Sequence, residues 1–132
     1  MDSYRAKREV IESFLSDLKR LLSSSEFDID RDFRITRSRP TEKNGQTLID
    51  LDFNKEDVIE ELKKLSISDY YQSLPDDKNP TMPDFHVFYI FVSNREIYVK
   101  VRIQYVNNVL CVSFHFPMYS HGKMPYNNVY EG

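Results

Sequence analysis

Two runs of alternating apolar and polar residues meet at Asn107-Asn108, and this feature constrains the fold more than any other in the sequence. Residues 96–106 and 109–116 each alternate, which is the period of a β-strand with one buried face. Asparagine tolerates positive φ, so the pair predicts a two-residue type I′ hairpin. The turn fixes the register of the strands, since a slip by one residue exchanges their faces.

This hairpin predicts one polar face and one apolar face. Counting outward from the turn places Lys100 opposite His115, and successive side chains alternate between the faces. The polar face collects a phenol, an ammonium, a guanidinium, a hydroxyl and an imidazole, from Tyr98, Lys100, Arg102, Ser113 and His115. The apolar face predicts part of the core, with Ile97, Val99, Val101, Ile103, Leu110, Val112 and Phe114.

The first half of the chain predicts two amphipathic helices. Apolar residues recur at three- and four-residue spacing over residues 4–22, with Ser3 as a candidate N-cap. A second helix over residues 54–65 begins at Asn54, where Asp57 three residues on makes an imperfect capping box. Each helix has one apolar face, so we expect both to pack on the sheet.

The segments between these elements predict shorter structures. Residues 27–39 alternate and indicate a strand, Asn44-Gly45 indicates a turn, and residues 48–53 indicate a second short strand. Residues 68–83 hold three prolines and indicate a long connecting loop.

Together the elements predict one α+β domain over residues 1–132, with two helices packed on an antiparallel sheet. Residues 1–25 form the first helix, and residues 26–84 a strand, a helix and a loop. Residues 85–116 form a three-stranded meander, and residues 117–132 a tail.

Composition excludes several classes of protein. A single cysteine, Cys111, excludes an internal disulfide framework and a multi-cysteine zinc site, and we expect it to be a buried structural thiol. Three glycines leave no glycine-rich phosphate loop. No apolar run reaches the roughly 20 residues that span a bilayer. Residues 1–8 are too polar for a signal peptide, so we expect a cytoplasmic protein with no membrane partner.

Charge is distributed unevenly along the chain. The net charge is −3, from 18 basic and 21 acidic residues, which argues against bulk electrostatic binding of nucleic acid. Residues 85–132 nevertheless carry four basic and two acidic residues together with all three histidines. This C-terminal third is the part of the chain that can meet an anion.

The polar face of the hairpin suits phosphodiester cleavage without a metal or other cofactor. Cleavage of RNA needs a base for the ribose 2′-OH, an acid for the departing 5′-oxygen and cations for the phosphorane charge. His115 has an ordinary pKa of about 6.5, suited to an acid or a base. Lys100 would stabilise phosphate charge, and Tyr98 would orient phosphate or base. His86, on the neighbouring strand, is a candidate second acid or base.

The remaining polar side chains of this face are candidates for substrate binding. Arg102 presents a guanidinium suited to phosphate, and Ser113 presents a hydroxyl. Arg102 and Lys100 would also lower the pKa of His115 by like-charge repulsion.

The same residues admit other interpretations. A polar sheet face with a few cations is ordinary in proteins that have no activity there. His86 has apolar neighbours, so a packing histidine fits it at least as well. The three histidines lack metal-ligand spacing and a carboxylate partner, so we expect no metal. The main rival to an enzyme is a non-catalytic module whose sheet face docks a protein or nucleic acid, and a third interpretation is an accessory protein that keeps the fold alone.

Three blocks of sequence resemble the MqsR (motility quorum-sensing regulator) family of type II toxin–antitoxin toxins. They are residues 65–71 (LSISDYY), 96–101 (EIYVKV) and 109–115 (VLCVSFH). The start of the first helix, with YRAKREV at residues 4–10 and ESFL at residues 12–15, is similar to that of a divergent branch of the family. The resemblance spans most of the chain.

The resemblance implies a RelE-like ribonuclease fold, cleavage of mRNA without a metal, and a partner antitoxin that neutralises the activity. The tyrosine of the second block matches Tyr98, and the basic residue that ends the third block matches His115. A family lysine after the first block is Gln72 here, which we assign to substrate binding. His86 is the residue that would substitute chemically for a family glutamine before the tyrosine strand.

Overall fold

The computed structural model of the protein describes residues 3–36 and 43–127. Within these residues, helices and strands follow one another along the chain. They are α1 (Arg8–Ser23), α2 (Ile29–Asp32), β1 (Phe33–Ile35), α3 (Lys43–Leu51), α4 (Lys55–Lys63), a 3₁₀ turn (Ile67–Asp69), β2 (Tyr70–Leu74), β3 (Phe85–Val92), β4 (Arg95–Gln104) and β5 (Asn108–His115).

The strands form one sheet in the order β1-β5-β4-β3-β2. Neighbouring strands are antiparallel except β1 and β5, which run parallel. The helices cover one face: Phe14 of α1 contacts Phe88 of β3, and Phe53 before α4 contacts Phe114 of β5. The predicted α+β class is confirmed, with a larger sheet and more helices than expected. None of the described helices is long and apolar enough to cross a membrane.

The core lies between the helices and this face of the sheet. Alternate side chains of the central strands point into it, and the opposite face, which we call the outer face, carries Tyr89, Tyr98, Lys100 and His115. Side chains with no exposed surface include Ile11, Leu18, Val58, Leu62, Leu65, Tyr70, Phe88, Ile97, Val99, Val101, Cys111 and Phe114.

Both predicted helices are present, and one of them begins where the sequence indicates. Asn54 caps α4 in a full capping box: its Oδ1 accepts from Asp57 N at 2.9 Å, and Asp57 Oδ2 accepts from Asn54 N at 2.9 Å. Helix α1 begins later than expected, and Ser3 is not its cap. Instead, Tyr4 pairs with Ser73 of β2 through backbone hydrogen bonds of 3.0 and 2.7 Å.

The predicted strand over residues 27–39 is mostly wrong. Asp28 caps the short helix α2, because its side chain accepts from the backbone N–H groups of Asp30 and Arg31. Only β1 is a strand among the described residues of this range, and residues 37–39 lie outside them. Local capping by an aspartate therefore overrides the alternating pattern.

Among the connecting segments, two further expectations are wrong and a third is confirmed only in part. The predicted turn at Asn44-Gly45 and the predicted strand over residues 48–53 both give way to α3. The predicted loop over residues 68–83 contains the edge strand β2, and only its second half is a loop. Contacts with the sheet determine the secondary structure of these segments, since α3 lies against β5 and β2 pairs with β3.

The hairpin between β4 and β5 departs from its predicted register. Its loop has three residues, Tyr105 to Asn107, and Gln104 pairs with Asn108. The positive φ values fall on Tyr105 (52°) and Val106 (71°) rather than on the asparagines. Next to the turn, β5 is therefore three residues out of the predicted register.

A β-bulge in β5 shifts the register a second time. Val101 pairs with Cys111, whereas Lys100 pairs with Ser113, so Val112 is the extra residue. Cys111 lies fully buried on the core side, as expected of a structural thiol, and burial raises its pKa to about 12.

The bulge decides which predicted contacts of the hairpin exist. Beyond it, Tyr98 pairs with His115, so the predicted pairing of Lys100 with His115 is wrong. All three side chains nevertheless share the outer face, as predicted. Leu110 and Val112, which we expected in the core, are only half-buried.

Asn44 of α3 satisfies the backbone of β5 at the bulge. Its Nδ2 donates to the backbone oxygens of Thr36 and Val112, each at 2.8 Å. Its Oδ1 accepts from Phe114 N at 2.9 Å. Asn44 is 3% exposed, so this amide supplies, inside the protein, hydrogen bonds that the irregular ladder does not make.

Candidate functional site

Four aromatic rings lie side by side across the outer face, one from each of β2, β3, β4 and β5. Successive ring centroids are 5.4, 5.5 and 5.3 Å apart. The strand register sets this spacing, because three of the residues pair directly across the sheet. We call the four residues the aromatic row: Tyr71, Tyr89, Tyr98 and His115.

His115 ends the row with a defined tautomer. Its Nδ1 lies 3.0 Å from the backbone oxygen of Phe116, which can only accept, so Nδ1 carries the ring proton and Nε2 keeps its lone pair. Burial lowers the pKa of His115 from its ordinary value; the hydrogen bond to the Phe116 oxygen opposes this shift, and the nearby ammonium of Lys43 adds to it. The imidazole is therefore neutral at pH 7 and able to accept a proton.

A pocket of about 250 Å³ opens beside His115. Lys43, the first residue of α3, lies at its rim and is exposed. This lysine was not predictable from the sequence, because only the packing of α3 against β5 brings it to His115. The residues that line the pocket are Lys43, Tyr89, Tyr98, His115, Pro117, Met118 and Tyr119.

Tyr98 brings a hydrogen-bond donor into the same pocket. Its ring stacks on that of His115, with 28° between the planes. Burial raises the pKa of Tyr98, so the phenol is protonated at neutral pH. Tyr98 and His115 therefore place a proton donor and a proton acceptor next to each other.

Lys100 and Ser113 share the outer face with His115 but do not line its pocket. They pair with each other one step along the sheet from the aromatic row. The Lys100 ammonium lies 4.9 Å from the ring centroid of Phe85, which is further from the row. Burial lowers the pKa of Lys100. Lys100 is therefore a cation beside the pocket rather than within it.

Arg102 is held by the protein's own groups. Its Nη1 donates to Asp76 Oδ2 at 2.9 Å and to the backbone oxygen of Pro83 at 3.1 Å. Its Nε donates to Gln104 Oε1 at 2.8 Å, and the residue is 6% exposed. The guanidinium ties the loop over residues 75–84 to the sheet, so the structure does not present Arg102 to a phosphate at His115.

Gln72 lies on the outer face at the edge of the sheet. It pairs with Val87 of β3, and strands β3 and β4 separate it from β5. Neighbouring strands are about 4.8 Å apart, so Gln72 lies about 14 Å from the strand of His115. The structure does not bring Gln72 into the pocket, and it is within reach only of a ligand that extends along the sheet.

His86 faces the helices, on the opposite side of the sheet from His115. Its ring lies 4.6 Å from that of Phe14, and its Nδ1 is 2.7 Å from Ser73 Oγ. Ser73 Oγ is in turn 2.7 Å from Tyr70 Oη. Burial lowers the pKa of His86 to about 4. The two histidines therefore do not belong to one site. His86 is a hydrogen-bonded imidazole packed between the sheet and the helices.

The described part of the predicted tail covers some of the outer face. We call residues 117–127 the strap. It begins after β5 as a wall of the pocket, and its His121 stacks on Tyr89 with ring centroids 3.8 Å apart. Further along, Tyr126 stacks on Tyr70 at 5.9 Å. The sequence predicted only a tail here, because the strap has no regular periodicity.

The fold and the site together define an α+β protein with an acid–base pocket on one face of its sheet. Within residues 3–36 and 43–127, no group of three or more histidine, cysteine, aspartate or glutamate side chains is placed to hold a metal ion. No protein-family model matches the sequence, and no curated protein matches it.

Proposed function

We propose that the protein is a metal-independent endoribonuclease, a toxin-like mRNA interferase of the MqsR-like kind with a RelE-like fold. One observation supports this above all: His115, with its tautomer set by Phe116, shares a pocket with the Tyr98 phenol and the Lys43 ammonium. A base, a proton donor and a cation are the groups that RNA cleavage needs. A partner antitoxin and a cytoplasmic location belong to the same proposal.

Each group in the pocket has a step in this reaction. His115 Nε2 accepts the proton of the ribose 2′-OH, and the 2′-oxygen bonds to phosphorus while the bond from phosphorus to the 5′-oxygen breaks. Tyr98 gives its proton to the departing 5′-oxygen, and Lys43 stabilises the phosphorane charge. The products are a 2′,3′-cyclic phosphate and a 5′-hydroxyl, and solvent returns the proton from His115 to Tyr98. Lys100 binds a neighbouring phosphate.

A non-catalytic nucleic-acid-binding module is the second candidate, and the aromatic row favours it. Planar side chains on a sheet face bind unpaired bases by stacking. The row spans four strands, which is more stacking surface than one cleavage step requires. The two candidates differ in a single observable, which is whether bound RNA is cut.

Purified protein should cleave RNA in the presence of EDTA. The pocket supplies base, donor and cation from side chains, so chelation should leave the rate unchanged and the products should carry 2′,3′-cyclic phosphate and 5′-hydroxyl ends. Gel analysis with end-group mapping measures both. Loss of cleavage in EDTA and its recovery with Mg²⁺ or Mn²⁺ would overturn the mechanism. Intact RNA, with or without ribosomes, would leave the binding module.

The acid limb of the pH profile should lie below the ordinary histidine pKa of 6.5. The form of His115 that acts as a base is neutral. Burial, and to a smaller extent the charge of Lys43, lowers the pKa of His115, so kcat/KM should fall only as the pH drops below 6.5. Lys43→Ala should move the limb upward, whereas Lys78→Ala, at an exposed position of the 75–84 loop, should not. A limb at or above 6.5 would identify a different titrating group.

A further inference from the structure

The strap is fastened at both ends of its path over the outer face. Its start follows β5 directly and forms a wall of the pocket at His115. At the far end, Gly122 N donates to Tyr71 Oη at 3.4 Å, and the backbone oxygen of Lys123 accepts from Arg5 at 3.5 Å. Tyr126 Oη donates to the backbone oxygen of Ala6. The strap therefore crosses the sheet from β5 to the segment before α1.

Between these ends, His121 lies flat on Tyr89. The two ring centroids are 3.8 Å apart with 27° between the planes, whereas neighbours within the aromatic row are at least 5.3 Å apart. The edge of the same imidazole contacts Tyr71, with centroids 5.5 Å apart. One face of the Tyr89 ring is thus covered by a planar heterocycle that belongs to the chain itself.

The His121 ring is charged and held by acceptors on both sides. Its Nδ1 lies 2.7 Å from the backbone oxygen of Gly122, and its Nε2 lies 2.8 Å from Glu96 Oε2. Both partners are acceptors, so both ring nitrogens carry protons. Burial opposes this charge, but the Glu96 carboxylate and the Gly122 carbonyl raise the pKa of His121 overall.

Tyr89 lies between two cavities. It lines the pocket of about 250 Å³ at His115 and also a second cavity of about 280 Å³, which Glu96 and His121 line as well. The two cavities meet at Tyr89, and the His121 ring that covers one face of Tyr89 lines the second of them. A chain of bases that stacks along the aromatic row needs this ring, and it needs the position that His121 fills.

We propose that the covered face of Tyr89 is a second ring-binding subsite, next to the pocket at His115, and that His121 is its internal occupant when the strap is closed. The identity of the competing ring, a nucleobase of the substrate, rests on the proposed function. Ligand and His121 compete for one surface, so the apparent affinity is the intrinsic affinity multiplied by the fraction of molecules whose strap is open. The strap therefore restrains the site until a second base displaces it.

Binding of a short single-stranded RNA with 2′-O-methyl riboses tests this without cleavage. Fluorescence anisotropy should show that His121→Ala binds about tenfold more tightly than the wild type, the size of one base stack. The double variant His121→Ala/Tyr89→Leu should lose that gain. Lys78→Ala, on an exposed loop, serves as the control with unchanged affinity. Equal or weaker binding by His121→Ala, or no binding by either protein, would overturn the subsite.

A second variant and a second readout guard against a folding defect in His121→Ala. Glu96→Gln leaves the imidazole in place and removes its charge partner, so it should tighten binding in the same direction by a smaller factor. Amide hydrogen exchange of residues 118–124 should accelerate when the oligonucleotide binds the wild type. A strap that stays protected at saturating ligand would contradict the competition, whereas failure of RNA cleavage alone bears on the proposed function and not on this subsite.

Discussion

Replacing His115 with alanine should slow RNA cleavage by about 10²–10⁴-fold while the protein stays folded. The variant removes the only proton acceptor that we assign to the 2′-OH, and loss of a general base has this effect on rate. His115 is half-buried, and in the described part of the chain its ring makes one hydrogen bond, to the Phe116 oxygen. We therefore expect it to contribute only about 1 kcal/mol to stability. Single-turnover cleavage and a thermal melt measure the two effects.

His86→Leu is the matched control, because it removes a half-buried imidazole on the opposite face of the sheet. It should lower the melting temperature, since Ser73 loses its partner at 2.7 Å. The cleavage rate per folded molecule should be unchanged. If His86→Leu loses as much activity as His115→Ala, then the two histidines act together and the assignment of the base to one pocket is wrong.

The face of His115 was predictable from the sequence, although the register was not. The three-residue loop moves β5 by three positions, which turns its side chains to the opposite faces. The bulge at Val112 adds one residue and turns them back. Ser113 and His115 therefore reach the outer face as the alternation indicates. Leu110, which lies between the loop and the bulge, does not reach the core.

Asn107-Asn108 led to a wrong turn prediction because the pairing of the strands outweighs the local turn preference of the asparagines in this hairpin. A two-residue turn with positive φ at both positions occurs one hairpin earlier, at Ser93 (52°) and Asn94 (64°). In the later hairpin, Val106 takes a positive φ although it is β-branched, and it is 92% exposed. Pairing of β5 with both β4 and β1 sets the position of the strand, and the loop adapts to it.

Long-range contacts also explain which site residues the sequence could not indicate. Lys43 reaches His115 only because α3 packs on β5, and no short motif links them. The sequence predicted Arg102 as a cation available to phosphate. In the structure it pairs with Asp76, which comes from a loop that is distant along the chain. By contrast, Tyr98 lies next to His115 within one hairpin, and the alternating pattern was sufficient to place both on one face.

Replacing Asn44 with alanine should destabilise the protein by about 3 kcal/mol or more. The change leaves the Thr36 and Val112 oxygens and the Phe114 N–H without the partners that they have at 2.8, 2.8 and 2.9 Å. Each buried backbone group left unsatisfied costs about 1–3 kcal/mol, and water entering the cavity offsets part of the total. Urea unfolding followed by circular dichroism gives the free energy of unfolding, provided the transition is two-state.

Gln46→Ala is the control on the same helix, because its side chain is exposed and, within the described residues, bonds only to Asp50, at 3.0 Å. It should change the free energy of unfolding by about 0.5 kcal/mol or less. Asn44→Ala should also accelerate amide exchange at Phe114, since that N–H loses its acceptor. If both variants unfold at the same urea concentration, then the β5 bulge is stable without the amide. The placement of His115 beyond the bulge would then depend on the pairing of β4 with β5 alone.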